Sequence, residues 1–399
     1  MVRAAPPDDP APTAAKLDTV PSSYTETLRR TWNENILFSA MVELTYRCNL
    51  NCTFCYNDTA LTGVPLAPEQ YFGFFQDLHD LGTLNLTLTG GEPLAHPHFF
   101  ALGRRARELG FVVRVKTNAH ALRGKLLQRM KDEIDPFMVD VSLHGATAET
   151  HDRQTQVPGS FARLLANLRE ARAAGLRIKL NSPFTLWNEH EFEAMYALAD
   201  NLGVQVQFDT LITRRDNGDA EPQRISASLE GLARLAAHQR ERDVMRRAGS
   251  SGSSLVMMPR AAAPRAPNGA LAAAEAPVAA ASKHCGAGSS SITVDPFGNV
   301  YPCVQWRRAV GNLHQQSIGE IWTTSAGLRQ VRELTTQAKG LVESYGPGGA
   351  LMSFCPGSAV VRDGDPLRVY PDALRRMEVL GEVMDAEAAG KRIVLPIIR

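Results

Sequence analysis

Between residues 37 and 209, short apolar runs alternate with stretches of helical periodicity, and this alternation limits the chain to an α/β fold built on a parallel sheet. Residues 37–44, 84–89, 111–117, 137–143, 176–181 and 204–209 are expected strands, with helices at 68–81, 97–109, 122–131, 161–174 and 189–202. About six strand–helix units with right-handed crossovers fall short of a closed eight-unit barrel, so the expectation is a partial, open (β/α)6 TIM barrel. Reactive groups in such folds gather at the C-terminal ends of the strands.

The loop after the first strand carries Cys48, Cys52 and Cys55, spaced C-x3-C-x2-C. Three thiolates on one short loop can hold three irons of a [4Fe-4S] cube and leave the fourth open to another ligand. Structural zinc usually asks for four ligands in two short-spaced pairs, and the chain instead has a second distant triplet, Cys285, Cys303 and Cys355. A disulfide framework is the other alternative, disfavoured for a large chain without a signal peptide. After the second strand comes Thr89-Gly90-Gly91-Glu92-Pro93-Leu94. Two glycines let the backbone approach a ligand closely, and the carboxylate beside them can accept hydrogen bonds from an ammonium group. Read alone, the same residues are a glycine turn into a helix.

Together the cysteine loop and the Gly-Gly-Glu-Pro motif resemble the radical S-adenosylmethionine (SAM) superfamily over residues 36–216. The resemblance implies that SAM chelates the open iron and is reductively cleaved to a 5′-deoxyadenosyl radical that abstracts hydrogen from a substrate. It implies SAM-binding roles for Phe54 near the adenine and for Gly90, Gly91 and Glu92 at the methionyl amino group. Thr117 and Asn118 match a family Thr-Asn-Gly step, but Ala119 replaces the glycine and speaks against a turn with φ > 0. Ser142 and Arg153 match a SAM-contacting serine and the arginine of the SAM carboxylate, and Ile212 an adenine-packing residue. His144 reads as a hydrogen-bonded loop residue.

The segment from His284 to Gly357 resembles the SPASM or twitch extension of such enzymes, with a hairpin turning at Pro296-Phe297-Gly298-Asn299 and the later Gly311-Asn312-Leu313 and Ile321-Trp322. A complete SPASM pattern has seven cysteines; this chain offers Cys285, Cys303 and Cys355, enough for one auxiliary [4Fe-4S] cluster with an open iron ligated by substrate, water or a side chain such as His284, the alternatives being a zinc site or buried thiols. By the same resemblance the substrate is a ribosomal precursor peptide, handed over by a separate PqqD-like leader-binding protein, with flavodoxin or ferredoxin as reductant. Two alternatives are a twitch-type enzyme acting on a small molecule and a non-catalytic iron–sulfur electron-transfer or sensor protein.

The expected organisation is a flexible arm over 1–35, the barrel over 36–247 closed by a helix at 225–247, a linker over 248–283, the SPASM/twitch-like domain over 284–360, and a tail with a helix over 361–399. The linker is dominated by Ala, Ser, Pro and Gly and lacks apolar surface to offset ordering entropy. With 43 Lys and Arg against 42 Asp and Glu the net charge is +1, which leaves no broad field for a nucleic-acid backbone. No signal peptide or long apolar run is evident, so neither secretion nor membrane insertion is expected, and the expected location is the cytoplasm.

Overall fold

The computed structural model describes residues 24–249 and 282–388. Its elements in chain order are α1 (Tyr24–Glu34), β1 (Ser39–Glu43), α2 (Pro68–Asp80), β2 (Asn85–Thr89), α3 (Phe99–Glu108), β3 (Val112–Thr117), α4 (Gly124–Arg129), β4 (Met138–Ser142), α5 (Ala148–Thr155), α6 (Ser160–Ala173), β5 (Ile178–Pro183), α7 (Phe192–Asn201), β6 (Gln205–Asp209) and α8 (Leu229–Gly249). They are followed by β7 (Ser291–Val294), β8 (Asn299–Tyr301), β9 (Gly311–Asn312), α9 (Ile318–Thr324), α10 (Ala326–Glu343), α11 (Pro356–Asp363) and α12 (Pro371–Ala388).

Local chemistry explains many of these boundaries. In α2, Pro68 stands in the first turn, the Gln70 side chain accepts from the Ala67 N–H at 2.9 Å, and Tyr71, Phe74, Phe75 and Leu78 form one buried stripe. In α9, Ser317 and Glu320 cap each other reciprocally.

The six parallel strands lie in the order β6-β5-β4-β3-β2-β1 and form an open sheet, as the alternating pattern predicts. The sheet does not stop at β1. Strand β7 pairs parallel to it, with Ser39 opposite Ser291 and Val42 opposite Val294, and β8 and β9 continue antiparallel to give nine strands. The expected hairpin therefore forms, but as an extension of the barrel sheet rather than as a detached module. Leu86, Leu88, Val115, Val141 and Leu180 fill the core together with the helices, and Ile292 and Val300 of the added strands belong to the same cluster.

Several expectations need correction. The arm over 1–35 is helical from Tyr24 to Glu34, because Thr31 is buried and Trp32 approaches Gly286 closely enough that a Cβ there would lie 2.6 Å from its indole nitrogen. Residues 1–23 lie outside the described residues, as do residues 250–281 of the linker expected over 248–283. Helix α8 begins at Leu229 rather than 225, and α11 crosses the boundary drawn at 360. Helix α5 is not evident in the sequence pattern because its buried face is polar: Thr150, His151, Gln154 and Thr155. The expected tail helix, α12, packs on α8, with Tyr370, Ala373 and Phe354 in a second small core.

Candidate functional site

Cys48, Cys52 and Cys55 lie on the loop leaving the C-terminal end of β1, and all six cysteines are free. Burial raises the pKa of each thiol of the trio, and the nearby thiols add to this for Cys52 and Cys55. A trio held close in a desolvating loop carries thiolates only when a cationic centre compensates their charge, which is the donor chemistry an iron–sulfur cube needs. Among the described residues no three His, Cys, Asp or Glu side chains close on one point as a mononuclear metal would require; a cube takes each thiolate at its own iron.

Gly90 and Gly91 shape this loop. Gly90 has φ +142°, and a Cβ on it would stand 2.4 Å from the Thr45 carbonyl oxygen; one on Gly91 would stand 2.6 Å from that of Arg47. The Gly91 N–H donates to Thr45 O at 2.6 Å and the Glu92 N–H to Arg47 O at 2.9 Å. Two backbones thus run against each other just before Cys48, at a separation no side chain fits.

Glu92 itself is 3% exposed. Its carboxylate accepts from Thr117 Oγ1 at 2.7 Å, from the Asn118 N–H at 2.9 Å and from the Leu94 N–H at 3.1 Å. Both oxygens are engaged, so Glu92 ties the ends of β2 and β3 together. Asn118 donates to Asn49 Oδ1 at 2.8 Å and points its amide at Cys48 Sγ from 3.8 Å. Ala119 overturns the expectation attached to it: it adopts φ +59°, held by its N–H on Thr117 Oγ1 and by Asn167, which donates to its carbonyl. Alanine has the smallest side chain that can be forced into this conformation.

Of the remaining predicted residues, Phe54 packs its ring on His144 at 4.7 Å, and His144 stacks in turn on His151 at 5.2 Å. His144 is buried and its Nδ1 has no hydrogen-bond partner. Ser142 ends β4. Arg153 lies on α5 with its guanidinium 4.0 Å from the centre of the Trp187 ring, and the C-terminal end of that helix grips the cysteine loop: Gln154 O and Thr155 O accept from the Thr53 and Asn51 N–H groups, each at 3.0 Å. Ile212 is buried beyond β6.

Cys285 and Cys303 pack together with Trp306, Val331 and Val360, and Cys355, far away in sequence, is close enough to act electrostatically on both. Burial, with neighbouring thiols adding, pushes Cys285 up to about 11 and Cys303 to about 12. Cys355 caps α11, its sulfur accepting from the Ser358 N–H at 3.5 Å. Three unpaired thiols on three separate segments fit a cube with one iron open. His284, the suggested fourth ligand, places Nε2 2.9 Å from Phe354 O, which leaves only Nδ1 for a metal.

A buried charge network missed in the sequence reading joins the two halves. Arg307, just past Cys303, meets Glu43 at the end of β1 through two contacts of 2.9 and 2.6 Å, and lies 3.0 Å from Asp216. The hydroxyls of Tyr46 and Tyr56, which flank the cysteine loop, also donate to Glu43. Burial, reinforced by Glu43 and opposed by Arg307, pushes Asp216 up to about 7. The available signal was a lone glutamate closing an apolar strand.

Beside this network a small cleft opens between the segment after β6 and the region around α11. Its first wall is fastened to the first triplet, since the Asp216 N–H donates to Tyr56 O at 2.8 Å and Arg215 to Cys55 O at 3.4 Å. Gln305, two residues past Cys303, lines the second wall with Ser358 and Tyr370, whose hydroxyl accepts from the Cys355 N–H at 3.3 Å.

Residues 42–199 match the model of the radical SAM superfamily, and residues 285–344 match SPASM, an iron–sulfur cluster-binding domain. The chain carries a radical SAM domain followed by a SPASM domain. A [4Fe-4S] cluster and SAM are the cofactors of the radical SAM domain, and its SPASM domain adds auxiliary iron–sulfur binding. This radical SAM protein is 27% identical to an AdoMet-dependent heme synthase of Methanosarcina barkeri, over 73% of its own length and 83% of the relative's. It is 32% identical to a PqqA peptide cyclase of Ruegeria pomeroyi over 44% of its length and 48% of the relative's. The fold is similar to that of anSMEcpe solved with AdoMet and a Cp18Cys peptide, with a TM-score of 0.61 at 14% identity over 89% of this chain and 99% of that one. Among the described residues no helix is long and apolar enough to cross a membrane.

Proposed function

We propose that this radical SAM protein modifies a ribosomally made precursor peptide, with Cys48, Cys52 and Cys55 holding the SAM-binding cluster and Cys285, Cys303 and Cys355 an auxiliary one. The observation that carries the reading is the cleft whose two walls are hydrogen-bonded to the segments that bear the two thiol triplets. Bound cluster and SAM together supply a radical able to take a hydrogen atom from a C–H bond.

The chain's own residues hold and orient. Gly90 and Gly91 offer backbone to the methionyl end of SAM, with Glu92 as the brace that fixes them through Thr117 and Asn118. Arg153 takes the SAM carboxylate from its seat on Trp187, Phe54 and Ile212 offer apolar surface to the adenine, and Ser142 and Asn118 complete the polar side. A separate PqqD-like protein presents the leader and flavodoxin or ferredoxin supplies the electron, in the cytoplasm.

The relative named as a PqqA peptide cyclase supports the peptide reading, although its match spans less than half of either chain. A second reading, chemistry on a small molecule, is favoured by the relative named as a heme synthase, whose match extends over 73% of this chain. Anaerobic reconstitution with iron and sulfide counting tests the cluster assignment: about eight irons in the wild type and about four in a Cys48/Cys52/Cys55→Ala variant are expected. Formation of 5′-deoxyadenosine on reduction tests the enzyme reading, and its absence would overturn it. Mass spectrometry of a short peptide encoded beside the gene, incubated with the reduced protein and SAM, separates the two substrates: an unchanged peptide removes the first reading.

A further inference from the structure

The cleft holds polar groups to which no role has yet been assigned. Its acidic lining is already paired: Asp216 faces Arg307 at 3.0 Å and Asp372 faces Arg362 at 2.9 Å. Arg214 is different. It lines the same cleft from the barrel side, forms no ion pair among the described residues, and keeps its Nε buried without a hydrogen-bond partner. On the opposite wall Ser358 Oγ is likewise buried and unpartnered.

These two groups point to a ligand. A buried N–H left unpaired is unfavourable, and an incoming acceptor removes that cost. A guanidinium presents a planar fork matched to carboxylate, and a hydroxyl beside it can donate to the same group. Asp216 and Asp372 on the same lining disfavour a dianion such as a phosphate, whereas one guanidinium is enough for a monoanion.

We infer that Arg214, together with Ser358, anchors a carboxylate of the substrate in the cleft between the two thiol triplets. The inference rests on the enzyme reading above and adds the chemical class of the substrate. A carboxylate could come from an acidic side chain of a peptide or from a small-molecule acid, and binding separates the sources.

The full-length protein with reconstituted clusters is titrated, without reductant, with a blocked heptapeptide containing glutamate and its glutamine twin, and with a propionate-bearing porphyrin and its methyl ester. In the wild type the acid of at least one pair binds about tenfold tighter than its neutral twin. Arg214→Met brings that ratio to about one, and Arg214→Lys, which keeps the charge without the fork, retains part of it. Preference within the peptide pair assigns the carboxylate to a side chain, and preference within the porphyrin pair assigns it to a small molecule; either supports the inference. Absence of preference in both pairs, or an unchanged preference in Arg214→Met, overturns it. Circular dichroism and iron content check that Arg214→Met is folded; if it is not, an Arg214→Lys preference equal to the wild type's overturns the anchoring fork. No turnover is read, so failure of SAM cleavage with preference intact removes the enzyme reading alone.

Discussion

Arg307 grips Glu43 with two guanidinium nitrogens, 2.9 and 2.6 Å from the two carboxylate oxygens, across 264 positions of sequence. Glu43 is 0% exposed and the Arg307 side chain 5%. Burial opposes the charge on Arg307, yet Glu43 and Asp216 outweigh it and hold the guanidinium above its ordinary value. The pair fastens the segment after Cys303 to the strand that leads into the first cysteine loop.

Removing one partner strands the other. Arg307→Met is expected to cost about 3–5 kcal/mol, because Glu43 would remain desolvated with only two tyrosine hydroxyls. Arg307→Met combined with Glu43→Met should recover a large part of that loss. Denaturant midpoints of the full-length apo protein and its three variants give the coupling directly, and additive losses would show that the pair does not act as a unit.

The close approach at the glycine pair predicts selective loss of one cluster. Gly90→Ala or Gly91→Ala forces the Thr45–Arg47 backbone away, so reconstituted iron should fall by about four atoms while the SPASM share remains. Gly73→Ala, where nothing lies within 4 Å of the added carbon, is the matched control and should keep full iron content.

Ala119 holds a left-handed turn at 0% exposure. Glycine there would relieve about 1–2 kcal/mol of backbone strain but lose a buried methyl worth about 1 kcal/mol and gain unfolded-state freedom. Ala119→Gly should therefore change stability by less than about 1 kcal/mol. Ala119→Val adds bulk and a branched Cβ at positive φ, and should cost about 2 kcal/mol or more in thermal or chemical denaturation.

His151 is buried, and burial lowers its pKa from 6.5 to about 4, with Asp152 opposing. Its Nδ1 accepts the His144 N–H at 3.1 Å, which requires a neutral ring. A depressed folded pKa means that the unfolded chain binds the proton first as pH falls. Stability from this group is thus complete above pH 6.5 and is lost between 6.5 and about 4, with a slope approaching about 1.4 kcal/mol per pH unit in mid-window. His151→Gln should flatten that part of the apo protein's stability profile; an unchanged slope would mean that another group is responsible.

What is local was legible in the order of residues. Apolar periodicity placed β1 to β6 and their order of appearance, and the spacing of Cys48, Cys52 and Cys55 placed three thiols on one loop, because each depends on neighbours a few residues apart. Residue order alone could not show where the second half attaches. Parallel pairing of β7 on β1 and the grip of Arg307 on Glu43 join residues about 250 positions apart, and neither leaves a periodic signature. The helix α5 was hidden because its buried face is polar, satisfied by partners such as Glu191 and Ser160 that only the packed structure supplies. Tertiary structure likewise decided that Glu92 braces β2 against β3, that Ala119 takes a glycine's conformation, and that the Arg214 Nε is buried without a hydrogen-bond partner. In each case the deciding quantity is which groups are desolvated together, and that is set by contacts distant in sequence.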